Sequence, residues 1–402
     1  MDFALTQEHK MVVDMVRKFA AEAVPIIREY DRKHEPAPLL PRMAELGILG
    51  VGIPVKYGGQ GLDYISLGLV CEELEYADST LRVVMAVHMG LCAQTIFHWG
   101  TEEQKQQYLV PLAQGEKIGC GAFTEPGHGS DFAHIQMSAR REGDYYILNG
   151  EKMWISLATL ADYAIVTART NPEAEKPHRG LSTFIVDLHS PGIKRGDIKG
   201  KLGVRAGSTG WIAFQDVKVP VENRLGEEGE GFKITMSAFD RGRYTVASGA
   251  VGLIRAALDA SVRYARERET FGVPIGRHQL IKQKIARMAR DYEMGRLLYL
   301  EAGWQMNQGL RATRTTSMAK WFATEAAFQA ANDAVQIHGA YGFSDEYDVE
   351  RFFRNARGSI IYEGSSEIHT LIQADYALGY RRDKPLRVEL PPYDPEAWQE
   401  EL

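Results

Sequence analysis

The sequence predicts an α+β multidomain protein: a helical N-terminal domain, a middle β-barrel or β-sandwich domain, and a C-terminal four-helix bundle. Three observations predict it. Apolar residues recur at spacings of three and four over residues 5 to about 118. From Gly119 to about Val219 they give way to short β-branched and aromatic runs. After Gly226-Glu227-Glu228-Gly229-Glu230-Gly231 the helical period returns and lasts to about Leu378, in runs long enough for a bundle. The expected domains are 1–118, 119–230 and 231–380, with an extended tail at 381–402.

In chain order, Thr6 is placed to cap a helix whose Val12, Val16, Phe19 and Ala23 share one face. Pro36, Pro38 and Pro41 punctuate the chain, and a short helix from Pro41 to Leu46 stops at Gly47. Tyr57-Gly58-Gly59-Gln60-Gly61 reads as a connector rather than a phosphate cradle. Tyr64 to Tyr76 is apolar early and carries Glu72, Glu73 and Glu75 near its end. Thr101-Glu102-Glu103-Gln104 is a capping box opening a helix to about Gly115. In the middle block, Tyr145 to Leu148 and Glu151 to Ser156 flank Asn149-Gly150, which reads as a hairpin with a type I′ turn. Tyr163 to Thr167, Ser182 to Val186 and Trp211 to Phe214 are further strands, and Asn171 to Arg179 is a polar loop. Breaks near Gly272-Val273-Pro274, Gly309 and Gly339 divide the last block into three or four long helices. The tail from Tyr380 is charged and carries Pro391-Pro392, so it is expected to be extended or partly disordered.

Composition excludes several functions. A net charge of −6 with no long basic run argues against a nucleic-acid surface. Cys71, Cys92 and Cys120 are scattered, which offers neither metal-ligand spacing nor a disulfide framework and suits a reducing compartment. Met1-Asp2-Phe3-Ala4 lacks the regions of a secretory signal, and no stretch of about 18 uninterrupted apolar residues is present, so no membrane span is expected. The expected location is the cytoplasm, or an organelle for a mature chain. No Gly-x-Gly-x-x-Gly fingerprint follows a strand, which argues against a Rossmann site.

The chemically distinctive stretch is Ile360-Ile361-Tyr362-Glu363-Gly364-Ser365-Ser366-Glu367-Ile368. An apolar run ends on one carboxylate. If Ile360, Ile361 and Tyr362 keep water away, desolvation raises the Glu363 pKa and makes it a base suited to neutral pH. The plainer reading is a surface Glu363 beside serines that cap the next helix.

Four stretches in order resemble the acyl-CoA dehydrogenase family of FAD enzymes. They are Phe123-Thr124-Glu125-Pro126-Gly127-His128-Gly129-Ser130-Asp131, Asn149-Gly150 through Ser156, Arg268-Glu269-Thr270-Phe271-Gly272, and Gln336 to Phe343 followed by Tyr362-Glu363-Gly364. The resemblance covers residues 1 to about 380. It implies α,β-dehydrogenation of an acyl-CoA thioester: Glu363 removes the Cα proton and Cβ delivers hydride to flavin N5, because no side chain accepts a hydride. Some relatives place the base on a helix of the bundle. The matching position here is Gly242, which cannot be a base.

The resemblance also implies the remaining site residues. Phe123, Thr124, Ser130, Trp154, Ile155 and Ser156 would meet FAD, as would Ser365 and Glu367. Arg268, Thr270, Phe271, Gln279, Gln336, Gly339 and Ala340 would reach the FAD of a neighbouring subunit, which makes the protein an oligomer, expected to be a homotetramer built as a dimer of dimers. Ser130, Asp240, Arg243 and Gly364 would hold the acyl-CoA, although Asp240 and Arg243 also suit a plain helix ion pair. An electron-transferring flavoprotein is the implied acceptor, and no metal is expected. Arg82, with Glu75 seven residues earlier, resembles the arginine of the glutaryl-CoA dehydrogenases that reads a distal carboxylate, whereas Ala86 departs from that subgroup. The open readings are a short, branched or cyclic monocarboxylic acyl-CoA, a dicarboxylic one, and an oxygen-reactive oxidase or monooxygenase of the same fold.

Overall fold

The computed structural model describes residues 4–400. Met1, Asp2 and Phe3, where the sequence shows no signal region, and Glu401 and Leu402 at the end of the tail lie outside the described residues. Helices α1 (Gln7–Lys33), α2 (Leu40–Glu45), α3 (Tyr64–Ala77), α4 (Ser79–Trp99) and α5 (102–113) form the first block. Thr6 caps α1 through a reciprocal pair with His9, and the Thr101–Gln104 box forms at the start of α5. The Asp78 carboxylate accepts from the Thr80 N–H, so one residue ends α3 and starts α4. All of α4 is buried, and its middle, Met85–Ala93, is wound as a π-helix.

The middle block is one eight-stranded mixed sheet in the order β6-β7-β3-β2-β4-β5-β8, with β1 beside β4. The strands are β1 (Gly119–Ala122), β2 (Ser138–Glu142), β3 (Tyr145–Ser156), β4 (Tyr163–Arg169), β5 (Leu181–Asp187), β6 (Ile193–Asp197), β7 (Thr209–Pro220) and β8 (Arg224–Leu225). One local expectation fails. Asn149-Gly150 is no hairpin turn: β3 runs straight through it and pairs with both β2 and β7. The register slips between Leu148 and Gly150, so the dipeptide is a β-bulge. Asn149 locks it by exchanging two hydrogen bonds with Asp216, 3.0 and 2.9 Å. Gly150 sits at φ 146°, where a Cβ would press within 2.9 Å of the Met137 backbone. The turn that joins β2 to β3 is at Gly143, φ 60°.

Helices α6 (Gly231–Glu267), α7 (Gln279–Asn307), α8 (Thr313–His338), α9 (Val349–Ser359) and α10 (Ser366–Ala377) form the last block, with breaks at the expected glycines. Helix α6 is central: it packs on α3, α7 and α8 and also meets β5. Tyr244 on α6 donates to the Tyr64 carbonyl of α3 at 2.6 Å, tying the two helical blocks together. Helices α4 and α6 are long and apolar enough to cross a membrane, but 100% and 72% of their most apolar windows are buried inside the protein.

The tail is extended as expected, with no regular element before residue 395, but it lies against the fold as a strap. Arg387 binds Glu230 at the entrance to α6, the Val388 carbonyl meets His98, and Tyr393 N–H donates to Asn307. Asp394 caps a last helix, α11 (Pro395–Gln399), and Trp398 inserts edge-on between Tyr64, Phe97 and Tyr393. Its apolar residues are widely spaced among charges and prolines, so the sequence carries no periodic signal for them.

Candidate active site

Glu363 occupies a tight turn between α9 and α10. Ile361 and Tyr362 N–H both return to the Gly358 carbonyl, and Ser366 N–H to Ile360. Ser365 caps α10. The turn requires left-handed backbone at two successive residues, φ 57° at Glu363 and 92° at Gly364. Glycine takes this freely, but a glutamate does so at a cost of order 1 kcal/mol. Two cations grip the turn by its carbonyls: Arg243 Nε donates to Glu363 O at 3.4 Å, and Lys320 Nζ to Gly364 O at 2.6 Å.

The Glu363 side chain turns inward. Although the residue keeps some exposure, its Oε2 is cut off from solvent and, among the described residues, has no hydrogen-bond partner. Burial pushes the carboxyl up to about 7, against the opposing pull of Arg243, Lys320 and Arg82. The expected desolvation is therefore present, but not through the whole expected wall. Ile361 is 59% exposed and points away. The wall is α6, whose Gly242 lies against the carboxylate: a Cβ there would sit 2.6 Å from Oε2.

Arg82 on α4 is buried and paired. Nε and Nη2 meet Glu75 at 2.5 and 3.2 Å, and Nη2 also donates to the Tyr362 hydroxyl at 2.5 Å. Ser79 donates to the same Glu75 at 2.6 Å. Burial pushes the Tyr362 hydroxyl up to about 12, so it stays protonated beside the base. Arg243 reaches Asp240 at 3.2 Å, and Asp240 accepts from Thr313 at 2.5 Å. These two residues thus form the helix ion pair and also stand one side chain from Glu363.

The β-domain side is built on a buried ion pair. Lys152 Nζ lies 2.9 Å from Glu125 and 2.9 Å from the Phe123 carbonyl, while Glu125 accepts from Gln136 and Met137 N–H. This clamp fixes the loop that carries Thr124, whose carbonyl accepts from Met153 N–H at 2.9 Å. Phe123 packs edge-on against Phe239, one helical turn before Gly242, which links the loop to the Glu363 pocket. Trp154 is held at φ 62° and 59% exposed, so its indole is presented rather than buried. Ser156 is half-buried at the end of β3, and Ser130 is exposed. Ile155 is buried in the core, as is Phe123. A Cβ on Gly127 or Gly129 would meet nothing within 4 Å, which leaves the loop open to a large ligand. An exposed flat ring, hydroxyls and an open glycine turn fit a flavin nucleotide.

The remaining expected residues do not join this pocket within one chain. Arg268, Phe271, Gln279, Gln336, Gly339 and Ala340 are exposed, Phe271 at 96%, and Thr270 bonds His278 at 2.9 Å. Glu367 is exposed in the first turn of α10. Sequence reasoning missed Lys320 and His369. His369 Nδ1 meets Ser317 at 2.8 Å, and burial pushes the ring down to about 3, so it is neutral. Lys320 had a readable signal: it shares the buried face of α8 with Thr316, Ala323 and Ala327. A separate cavity of about 310 Å³ lies between α1, α3, α6 and α9, but its Arg17 and Arg28 are already paired with Glu73 and Asp348. Among the described residues no cluster has the composition of a metal site.

Three family models match the chain: acyl-CoA dehydrogenase N-terminal domain over 6–116, middle domain over 120–217 and C-terminal domain over 229–378. The short-chain specific acyl-CoA dehydrogenase of Mus musculus is 40% identical over 93% of this chain and 91% of its own length. The structure of butyryl-CoA dehydrogenase from Megasphaera elsdenii superposes with a TM-score of 0.91 at 37% identity, covering 94% of this chain and 100% of that one. A glutaryl-CoA dehydrogenase in complex with glutaryl-CoA gives a TM-score of 0.90 at 39% identity, covering 95% and 98%.

Proposed function

The chain belongs to the acyl-CoA dehydrogenase family of FAD-dependent oxidoreductases, and from that premise we propose that it oxidises a short-chain acyl-CoA at Cα–Cβ with Glu363 as its base. The observation that carries this reading is the buried, unpartnered Oε2 of Glu363, raised to about 7. A base near the working pH combines an ionised fraction with a strong pull on the proton, worth typically ~10² to 10⁴ in rate.

Each residue has a task. Glu363 Oε2 accepts the Cα proton. Among the described residues Glu363 N–H donates to no protein group, which leaves it for the thioester oxygen as negative charge develops there. Arg243 and Asp240 steady the CoA side of the turn. Thr124, Trp154, Ser156 and Ser130 hold FAD, which when bound supplies the acceptor for the hydride leaving Cβ. Arg268, Phe271, Gln279, Gln336, Gly339 and Ala340 complete that FAD site from a neighbouring copy in a homotetramer. The exposed apolar residues Phe271, Phe343, Leu280, Leu297 and Trp304 support such an assembly. An electron-transferring flavoprotein takes the electrons onward.

One observation favours a second reading. Arg82 is near enough to the base to pull against its raised carboxyl, and it stacks on and donates to Tyr362, which sets a guanidinium in the neighbourhood of Glu363. Its charge is already matched by Glu75, which places a dicarboxylic acyl-CoA behind a monocarboxylic one. Anaerobic titration of the yellow holoenzyme with butyryl-, isobutyryl-, octanoyl-, cyclohexanecarbonyl- and glutaryl-CoA tests both. Bleaching by butyryl-CoA is expected. Bleaching by glutaryl-CoA alone selects the second reading, and bleaching by none overturns both.

A further inference from the structure

Lys320 is fully buried on α8, and among the described residues it forms no ion pair. The ammonium's one hydrogen bond among the described residues runs to Gly364 O, on the residue that follows the base. Burying an ammonium without a counter-charge is costly, so a lysine here needs an electrostatic reason. The cations facing Glu363 differ in this respect. Arg82, from α4, has Glu75, and Arg243, from α6, has Asp240. Of the other groups, Glu325 is a turn away on α8, His369 from α10 is neutral, and Tyr362 on the turn itself stays protonated. Lys320 alone therefore lacks a partner carboxylate, and Glu363 is the carboxylate that lacks a partner cation.

We propose that Lys320 is a positioning residue for the base: its ammonium holds the Gly364 carbonyl, fixing the left-handed turn, and supplies the counter-charge that keeps Glu363 in its proton-accepting form. The role rests on the reading of Glu363 as the base. Burial pushes the Lys320 ammonium down and the Glu363 carboxyl up, while each charge opposes the other's shift. Ionised Glu363 and protonated Lys320 are thus stable together, and each is costly alone. Proton transfer from substrate to Glu363 removes the compensation, which favours return of the proton to solvent once product has left.

The test is anaerobic reduction of holoenzyme by butyryl-CoA, followed by stopped flow from pH 5.5 to 9.5, for wild type, Lys320→Met and Lys320→Arg. Reduction of wild type establishes the dehydrogenase reading by itself, so failure there is distinct from failure of this inference. Lys320→Met is expected to bind FAD normally and to reach its half-maximal rate about one pH unit higher. Its rate then falls about tenfold at pH 6.5 and recovers towards wild type by pH 9. Lys320→Arg, which keeps the charge, restores the profile. A rate lowered equally at every pH, or an unchanged profile, overturns the proposal. If Lys320→Met yields no holoenzyme, Glu363→Gln decides by [ε-13C]lysine NMR: the Lys320 amine must titrate at lower pH than in wild type, and an unmoved titration overturns the proposal.

Discussion

A β-carbon on Gly242 would lie 2.6 Å from Oε2 of Glu363, so α6 and the base are in van der Waals contact only because that side chain is missing. The closeness explains how two positions far apart in sequence can serve one chemical place. Gly242→Ala must push the carboxylate away from the substrate, because the Cβ meets both oxygens and Cδ within 3.0 Å. A displacement of this size is expected to lower kcat by about 10- to 100-fold. Steady-state kinetics alongside FAD content checks it, and unchanged kcat would mean that the carboxylate does not act from this pose.

The raised carboxyl also has a stability signature. The folded value of about 7 lies above the ordinary 4.5, so Glu363 favours the fold below the unfolded value, and that contribution is lost as pH rises through 7. Glu363→Gln does not titrate. Relative to its standing at pH 5, it is expected to gain on the order of 2–3 kcal/mol over wild type by pH 8.5, whatever fixed cost comes from leaving Lys320 without its counter-charge. Urea melts of the two holoenzymes across pH measure this. A gap independent of pH would contradict the burial argument.

Arg82 cannot be tested by truncation alone, since that would strand Glu75 in the core, at a cost of about 3–5 kcal/mol. Removing the pair together, as Arg82→Met with Glu75→Gln, avoids the stranded charge. The double variant is expected to keep its rate with butyryl-CoA within a few fold. Under the second reading its kcat/KM with glutaryl-CoA falls at least about tenfold further, the worth of one charge-assisted hydrogen bond. Equal losses with both substrates would remove Arg82 from substrate selection.

The strap predicts a purely structural effect. Trp398 is 4% exposed among Tyr64, Phe97 and Tyr393. Trp398→Ala is expected to destabilise the protein by about 3–5 kcal/mol. The folded fraction should keep its kcat, because among the described residues no strap residue bonds to Glu363. Thermal melts and active-site-normalised rates check the two halves.

Much of this was legible in the sequence. The three blocks follow from the period of apolar residues, and Glu363 stands out because an apolar run ends on a lone carboxylate. The misreadings share a physical cause, which is that long-range contacts overrule local propensity. Asn149-Gly150 has the chemistry of a tight turn, but Asp216 on a neighbouring strand captures Asn149 and turns it into a bulge. The tail looks unstructured until α3, α4 and α7 offer it a surface. Ile361 looked like a wall and is not, because the turn at Glu363 rotates it outward. Lys320 was passed over because a lysine usually reaches solvent, although its spacing from Thr316, Ala323 and Ala327 sets it on the apolar face of its helix; that it meets a carbonyl is visible only in the fold.

The most direct test of the central claim is rapid anaerobic mixing of wild type and Glu363→Gln holoenzyme with butyryl-CoA, with flavin absorbance recorded. Both proteins are expected to bind FAD and perturb its spectrum on substrate binding, with bleaching in the variant slower by about 10³-fold or more. Bleaching of Glu363→Gln at a rate near wild type would contradict it and take the proton abstraction away from Glu363.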